Sequence, residues 1–443
     1  MKKRENKTKK YLLEKIIFPV LFILPVLAFL GLIIRYSTNV PLADDFYTIL
    51  SFLDNYSHAA VFEKIALLFA QHNEHRLVFN RLLTVAADKL SGGIDFRLLL
   101  LLGGVLIIIL VASLFLIFKE KKEKIKYFFP VLLIILQPQY AGAIFWATSA
   151  LQNAGVLVFT ALCLYFLEQK RSSDVFRALP FAVLAVFSAA NGLFLLPVGA
   201  LLYFMTGRKL EGTFWLAFSG LLLLLYFYSY TLPAHAGAYY SLTGIFNSAL
   251  FFLTLLGSAF LVNFRLLLDI FGRGFANYFT GLAAFFGSAM LAWIIFLVKR
   301  KYYEKNPAVF YFIVILLITA LATALTRGGA GILQAMTSRY RIISVLMLAL
   351  LYISVLEQAA ERKKAGLFRV ILTAAAVFWI VSYGMNIGEI SACKTNLEKG
   401  ISSWMKNGQG LELLNEPVSE SDAILKRALE NGHYNLSGIP VNR

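Results

Sequence analysis

The sequence predicts an all-α fold, a polytopic transmembrane helical bundle, and three observations predict it. Hydrophobic residues make up 59% of the 443 residues, and they fall in continuous runs of about 20, the length that crosses about 30 Å of hydrocarbon. Those runs do not alternate apolar with polar residues, which excludes the strands of an outer-membrane barrel. The formal net charge of +17 lies in short basic clusters beside the runs, so it reads as a topological signal and no nucleic-acid partner is expected.

The elements follow in order. Lys2, Lys3, Arg4, Lys7, Lys9 and Lys10 precede span 16–35 and put the N-terminus in the cytoplasm. No small-residue cleavage site follows that run, so it reads as an uncleaved first helix. A long outer loop, 36–97, leads to span 98–118, after which Lys119, Lys121, Lys122, Lys124 and Lys126 mark an inner loop. Spans 127–147 and 149–167 are joined outside through Gln137-Pro138-Gln139-Tyr140 and Trp146. Within 178–205, Asn191-Gly192 and Pro197 interrupt the run while Arg177 and Arg208-Lys209 flank it; two short helices turning at Asn191-Gly192 keep both basic flanks inside.

Span 213–231 then leads to an outer loop with His235, Tyr239 and Tyr240. Residues 249–264 are apolar but break the alternation, because span 278–298 must end at the inner Lys299-Arg300-Lys301. Either 249–264 is re-entrant or the 178–205 hairpin is a single pass. Spans 307–325, 342–357 and 370–387 alternate cleanly around the inner Arg362-Lys363-Lys364, giving about 11–13 membrane segments. The expected domains are a transmembrane unit, 1–387, and an extracytoplasmic tail, 388–443, a small cap with Trp404 and a helix-like stretch over 421–430. Two cysteines, Cys163 and Cys393, supply no disulfide framework.

The outer loop 36–97 is too long for a simple connector. Val61, Ile65, Leu68 and Phe69, then Leu77, Phe79, Leu82, Leu83 and Val85, recur at helical spacing, which predicts two interfacial amphipathic helices. Between them runs Gln71-His72-Asn73-Glu74-His75-Arg76. His72 and His75 at i, i+3 would share a helical face and, with Glu74 or an aspartate, offer ligands to a divalent metal, although no third ligand has diagnostic spacing. At the start of the loop stand Asp44 and Asp45, adjacent carboxylates at the mouth of the first span. Such a pair either caps a helix beginning near Phe46 or supplies a base.

A second polar focus lies at 326–341, where Arg327, Arg339 and Arg341 sit outside against the positive-inside tendency. Arginine matches phosphate with a planar fork of donors, and Gly328-Gly329 and Gly331 would let backbone approach an anion. Snorkelling at a membrane edge is the competing reading.

The first span followed by P-L-A-D-D-F, the outer loop with two interfacial helices, the further spans and the outer tail together resemble the GT-C superfamily of membrane glycosyltransferases. H-N-E-H-R-L at 72–77, S-A-A-N-G-L at 188–193 and S-R-Y at 338–340 look similar to a bacterial branch of it. No W-W-D-type tail motif is present, unlike in the oligosaccharide-transferring branch. The resemblance implies an extracytoplasmic active site at the cell membrane and a polyprenyl-phosphate sugar as donor. It implies a cell-envelope glycan or lipid as acceptor. Asp44 and Asp45 would be catalytic, with Asp45 the expected base. His72, Glu74, His75, Arg76, Arg327, Arg339, Tyr340 and Arg341 would bind substrate. A divalent metal is compatible with these residues but not required. A transporter or flippase for lipid-linked saccharides, or a ligation protein, is the alternative function.

Overall fold

The computed structural model describes residues 18–119, 125–233 and 242–436. The basic N-terminal cluster, Lys121, Lys122, Lys124, His235, Tyr239 and Tyr240 lie outside the described residues. The continuous apolar runs form helices, and the sheet among the described residues is a two-stranded hairpin.

Among the described residues eight helices are long and apolar enough to cross a membrane, including Phe96–Ile117, Ala147–Leu167, Lys209–Phe227, Pro307–Arg327 and Arg341–Gln358. The expected 11–13 segments therefore include shorter pieces: Leu21–Tyr36, the helix Asp174–Val186, and Ala190–Met205. The segment expected to re-enter is a bent pair, Gly244–Phe260 followed by Phe264–Phe271 at 88°. Its first half packs against Ala276–Lys299 with almost no separation. A Cβ on Gly257 would lie 1.9 Å from the Ala283 carbonyl oxygen, and one on Gly287 would lie 1.9 Å from that of Leu253, so only glycine fits.

The 178–205 region is the hairpin read from its flanks. Helix Asp174–Val186 rises from the end where Glu168 meets Lys119, and the chain turns through 187–194. Helix Leu195–Met205 then returns, so that the Arg208 guanidinium donates to the Leu167 carbonyl.

One end of the bundle gathers the basic loops. Glu357, 1% exposed, accepts from the Tyr302 hydroxyl at 2.7 Å, the Asn306 amide at 3.0 Å and the Lys119 backbone N–H at 3.0 Å. The Lys305 ammonium donates to its backbone carbonyl. Glu168 pairs with Lys119 at 2.6 Å beside it.

The opposite end carries the loop and the cap. Helices Val61–Phe69 and Val78–Ser91 form as the periodicity predicts, with Val61, Phe62 and Ile65 presenting an exposed apolar face. The helix Glu361–Asn407, which the helix Val418–Glu430 follows in the cap, runs 47 residues without a break, so the expected boundary at 387 falls inside it. Leu397 and Ile401 of this helix share one core with Leu414, Leu425 and Tyr434 of the cap and with Phe46, Leu50 and Phe96 of the loop region. Cap and loop are one packed layer.

Candidate functional site

At that end lies a cavity of about 390 Å³, in which seven of the sequence-derived site residues meet: Asp44, His72, Glu74, His75, Arg327, Arg339 and Tyr340. Four segments bring them there. Asp44 follows a tight turn in which Ala43 takes φ +50°, and the Ala43 N–H is tied to the Leu414 carbonyl at 2.9 Å. Gln71–His72 and His75–Arg76 form the β-hairpin, with His72 directly opposite His75. Arg327 ends helix Pro307–Arg327, and Arg339 and Tyr340 precede helix Arg341–Gln358.

The hairpin corrects the expectation that His72 and His75 share a helical face. Asn73 adopts φ +49°, a left-handed conformation that asparagine tolerates, and the chain reverses there. Gln71 fixes the hairpin from outside by bonding both the N–H and the carbonyl of Thr231. Arg76 does not reach the cavity. Its guanidinium, 7% exposed, is taken by the carbonyls of Phe69, Tyr226 and Tyr228, which pins the hairpin to the end of helix Lys209–Phe227.

The adjacent aspartates have different surroundings. Asp45 is 1% exposed and does not line the cavity. One carboxylate oxygen accepts the Thr148 N–H at 2.8 Å and its hydroxyl at 2.6 Å; the other accepts the Leu42 N–H at 3.1 Å. Thr148 lies in the first turn of helix Ala147–Leu167, whose own N-cap Trp146 contributes no side-chain bond. Asp45 thus caps a helix through Thr148, 103 residues downstream. Burial raises its carboxyl to about 6 against those hydrogen bonds. Asp44, with over a third of its side chain exposed, stands 3.5 Å from His72 Nε2 and faces the cavity.

On the hairpin's other strand, the Ala190 N–H donates to His75 Nδ1 at 3.0 Å. Burial holds this imidazole down at about 4, so it is neutral and carries its proton on Nε2. That nitrogen lies 3.7 Å from the Glu74 carboxylate, and Arg327 approaches the same oxygen at 3.3 Å. Arg339 is exposed, with its guanidinium 4.7 Å from the centre of the Tyr340 ring. Gly142 lets this loop sit close, since a Cβ there would be 2.6 Å from the Ser338 hydroxyl and 3.0 Å from the Arg339 nitrogen.

Arg341 lies away from the cavity as a substrate contact. It is 3% exposed and donates to the Val262 carbonyl at 2.7 Å, fixing the bend of the 244–271 pair. Gly328, Gly329 and Gly331 do not line the cavity either; Gly331, at φ +114°, turns the chain, and Gly328 packs on Ser248. Among the described residues no three His, Cys, Asp or Glu side chains converge as metal ligands.

Sequence reasoning passed over a polar wall. Ser149, Gln152 and Asn153 on one helix, and Thr319, Thr323 and Thr326 on another, line the same cavity. Each set recurs at three- and four-residue spacing within an otherwise apolar helix, a polar stripe visible in the sequence.

A second cavity, about 340 Å³, adjoins the first through shared Trp146 and Arg339. Leu42, Leu100, Phe145, Ile390 and Leu397 make most of its wall apolar, and Lys394 stands at it.

No protein-family model matches this chain, and no curated protein does.

Proposed function

We propose that the chain is an integral membrane glycosyltransferase of the GT-C type, moving a sugar from a polyprenyl-phosphate donor to a cell-envelope acceptor outside the cytoplasmic membrane. One observation carries the reading: a single cavity, at the end of the bundle opposite the basic loops, sets the Asp44 carboxylate against Arg327 and Arg339. A base and a phosphate-binding fork lining one cavity are what glycosyl transfer from a phosphate leaving group requires. The adjoining apolar cavity supports an amphiphilic donor, because a prenyl chain would lie along Phe145, Ile390 and Leu397 with its phosphate at Arg339.

In this mechanism Asp44 takes the proton of the acceptor hydroxyl as that oxygen attacks the anomeric carbon. Asp44 holds this role in place of Asp45, whose oxygens are occupied by Thr148 and Leu42. Arg339 and Arg327 stabilise the charge that develops on the departing phosphate. Neutral His75, Glu74, Gln152 and Asn153 orient sugar hydroxyls. One in-line displacement inverts the anomeric configuration. The basic loops at the far end orient the N-terminus and those loops to the cytoplasm.

The test is transfer from a radiolabelled polyprenyl-phosphate sugar in membranes with equal amounts of each variant. Asp44→Asn lowers transfer by on the order of a hundredfold to ten-thousandfold, the range for a lost general base. Asp45→Asn, which keeps an oxygen for Thr148, retains most of it. Wild-type transfer by Asp44→Asn would favour a flippase or ligation protein, neither of which needs a carboxylate base.

A further inference from the structure

Along two of the helices that line the cavity, the wall changes character. In helix Pro307–Arg327 it is made by Thr326, Thr323 and Thr319, then by Leu316. In helix Ala147–Leu167 it is made by Ser149, Gln152 and Asn153, then by Val156 and Leu157. Each helix is therefore polar for its first turns into the bundle and apolar beyond. At 1.5 Å of rise per residue, Thr319 lies about 12 Å along the helix from Arg327.

The charged side chains of the cavity stand outside this stretch. Asp44 belongs to a tight turn and Glu74 to the turn of the hairpin, while Arg327 ends one helix and Arg339 lies in the loop before the next. What the helices themselves present is neutral.

The threonine hydroxyls have already placed their protons. Thr319 Oγ1 donates to the Ile315 carbonyl at 2.8 Å, Thr323 Oγ1 to that of Thr319 at 2.8 Å, and Thr326 Oγ1 to that of Ala322 at 2.9 Å. Each oxygen is left with lone pairs alone. Asn153 uses both amide hydrogens on Ser149, its carbonyl at 3.0 Å and its hydroxyl at 2.9 Å, so Oδ1 is the atom it has to offer. Gln152 and Asn191 add uncharged amides, which give or take a hydrogen bond. Bonding back to its own helix is how a threonine is satisfied in an apolar segment. That need does not explain three of them at four- and three-residue spacing on the face that borders a cavity.

A wall of acceptors suits a ligand that brings donors, as hydroxyls do. A carboxylate placed there would lose its water and meet lone pairs. We propose, resting on the reading of this cavity as a glycosyl-transfer site, that the acceptor wall of Thr319, Thr323 and Asn153 selects a neutral sugar against its acidic counterpart. With the donor phosphate at Arg327 and Arg339, the sugar bonded to it extends between the two helices. Its hydroxyls donate to the wall, and Leu316, Val156 and Leu157 end its reach. The arginines serve the phosphate, and the choice of sugar falls to the neutral wall.

The full-length protein in nanodiscs is titrated with three probes: polyprenyl phosphate, polyprenyl-phosphate glucose, and polyprenyl-phosphate glucuronate, which differs from the second only at C6. The glucose probe binds about tenfold or more tighter than the glucuronate probe. Thr319→Val keeps the shape of the side chain and weakens the glucose probe about tenfold, while polyprenyl phosphate binds as to the wild type. Thr319→Ser, which keeps the hydroxyl, restores the glucose probe; a folding defect would weaken all three probes together. Equal binding of the two sugar probes, or wild-type binding of glucose by Thr319→Val, would overturn the proposal and leave the glycosyl-transfer reading standing. No binding of any of the three would overturn both.

Discussion

The two ends of the bundle use the same residue types to opposite effect. At the basic end, both carboxylate oxygens of Glu357 are met by Tyr302, Asn306 and Lys119, and Lys305 covers its backbone carbonyl. At the other end, Asp44, Glu74, His72, His75 and Arg327 approach one another at 3.3–3.7 Å around a cavity. The first cluster spends its charge on joining the chain to itself. The second aims its charge at open space, which a stable fold alone does not require.

The sharpest way to break this contrast is to remove Glu357. Glu357→Ala strands buried donors from two stretches, Lys119 and 302–306, so stability falls by about 3–5 kcal/mol. The measurement is denaturant unfolding in detergent, alongside transfer per folded molecule, which stays at the wild-type level. At the cavity, Arg327→Ala does the reverse. Transfer drops about a hundredfold, as for a lost donor to developing charge, and the unfolding midpoint stays close to the wild type.

A smaller effect separates fork from charge. Arg339→Lys keeps the charge but loses the planar fork, so binding of a polyprenyl phosphate weakens about tenfold. Arg362→Lys at the basic end leaves binding unchanged. Equal losses at both positions would make Arg339 a snorkelling residue.

The smallest effect sharpens the division between the aspartates. Asp45 has its carboxyl raised to about 6 by burial, against 3.8 when unfolded, so the folded state holds the extra proton between those values. Its contribution to stability is complete below about 4 and declines as pH rises through 6. Asp45→Asn removes that decline, and thermal unfolding across pH 4 to 7 becomes flatter. His75, held down at about 4, acts with the opposite sign: its contribution is complete above about 6.5 and is lost as pH falls.

Much of the helical layout was legible because continuous apolar runs and basic flanks leave few alternatives. The hairpin at 178–205 followed from the break at Asn191-Gly192 and Pro197 and from the basic flanks Arg177 and Arg208-Lys209. What escaped was set by contacts across the chain. Histidines three apart suit a helix or a two-residue turn equally, and only the φ of Asn73 decides. Neighbouring Asp44 and Asp45 are alike in sequence, and it is Thr148, at the start of a distant helix, that claims one of them. Arg76 and Arg341 were expected to contact substrate, yet backbone carbonyls at the end of one helix and at the bend of another take them. The threonine and amide stripes are short interruptions in helices whose length and apolarity dominate, so their polar face is visible only at three- and four-residue spacing.

The central claim is that the cavity between Asp44 and the arginines is where substrate binds and reacts. A chain with Cys163 and Cys393 replaced by serine and Thr323, in the cavity wall, replaced by cysteine tests it directly. An impermeant thiol reagent is applied to intact cells, with and without a saturating polyprenyl-phosphate sugar, and labelling and transfer are measured together. The account predicts that residue 323 labels, that the donor protects it, and that labelling stops transfer. Labelling that the donor does not slow, with transfer intact in the modified protein, would contradict it.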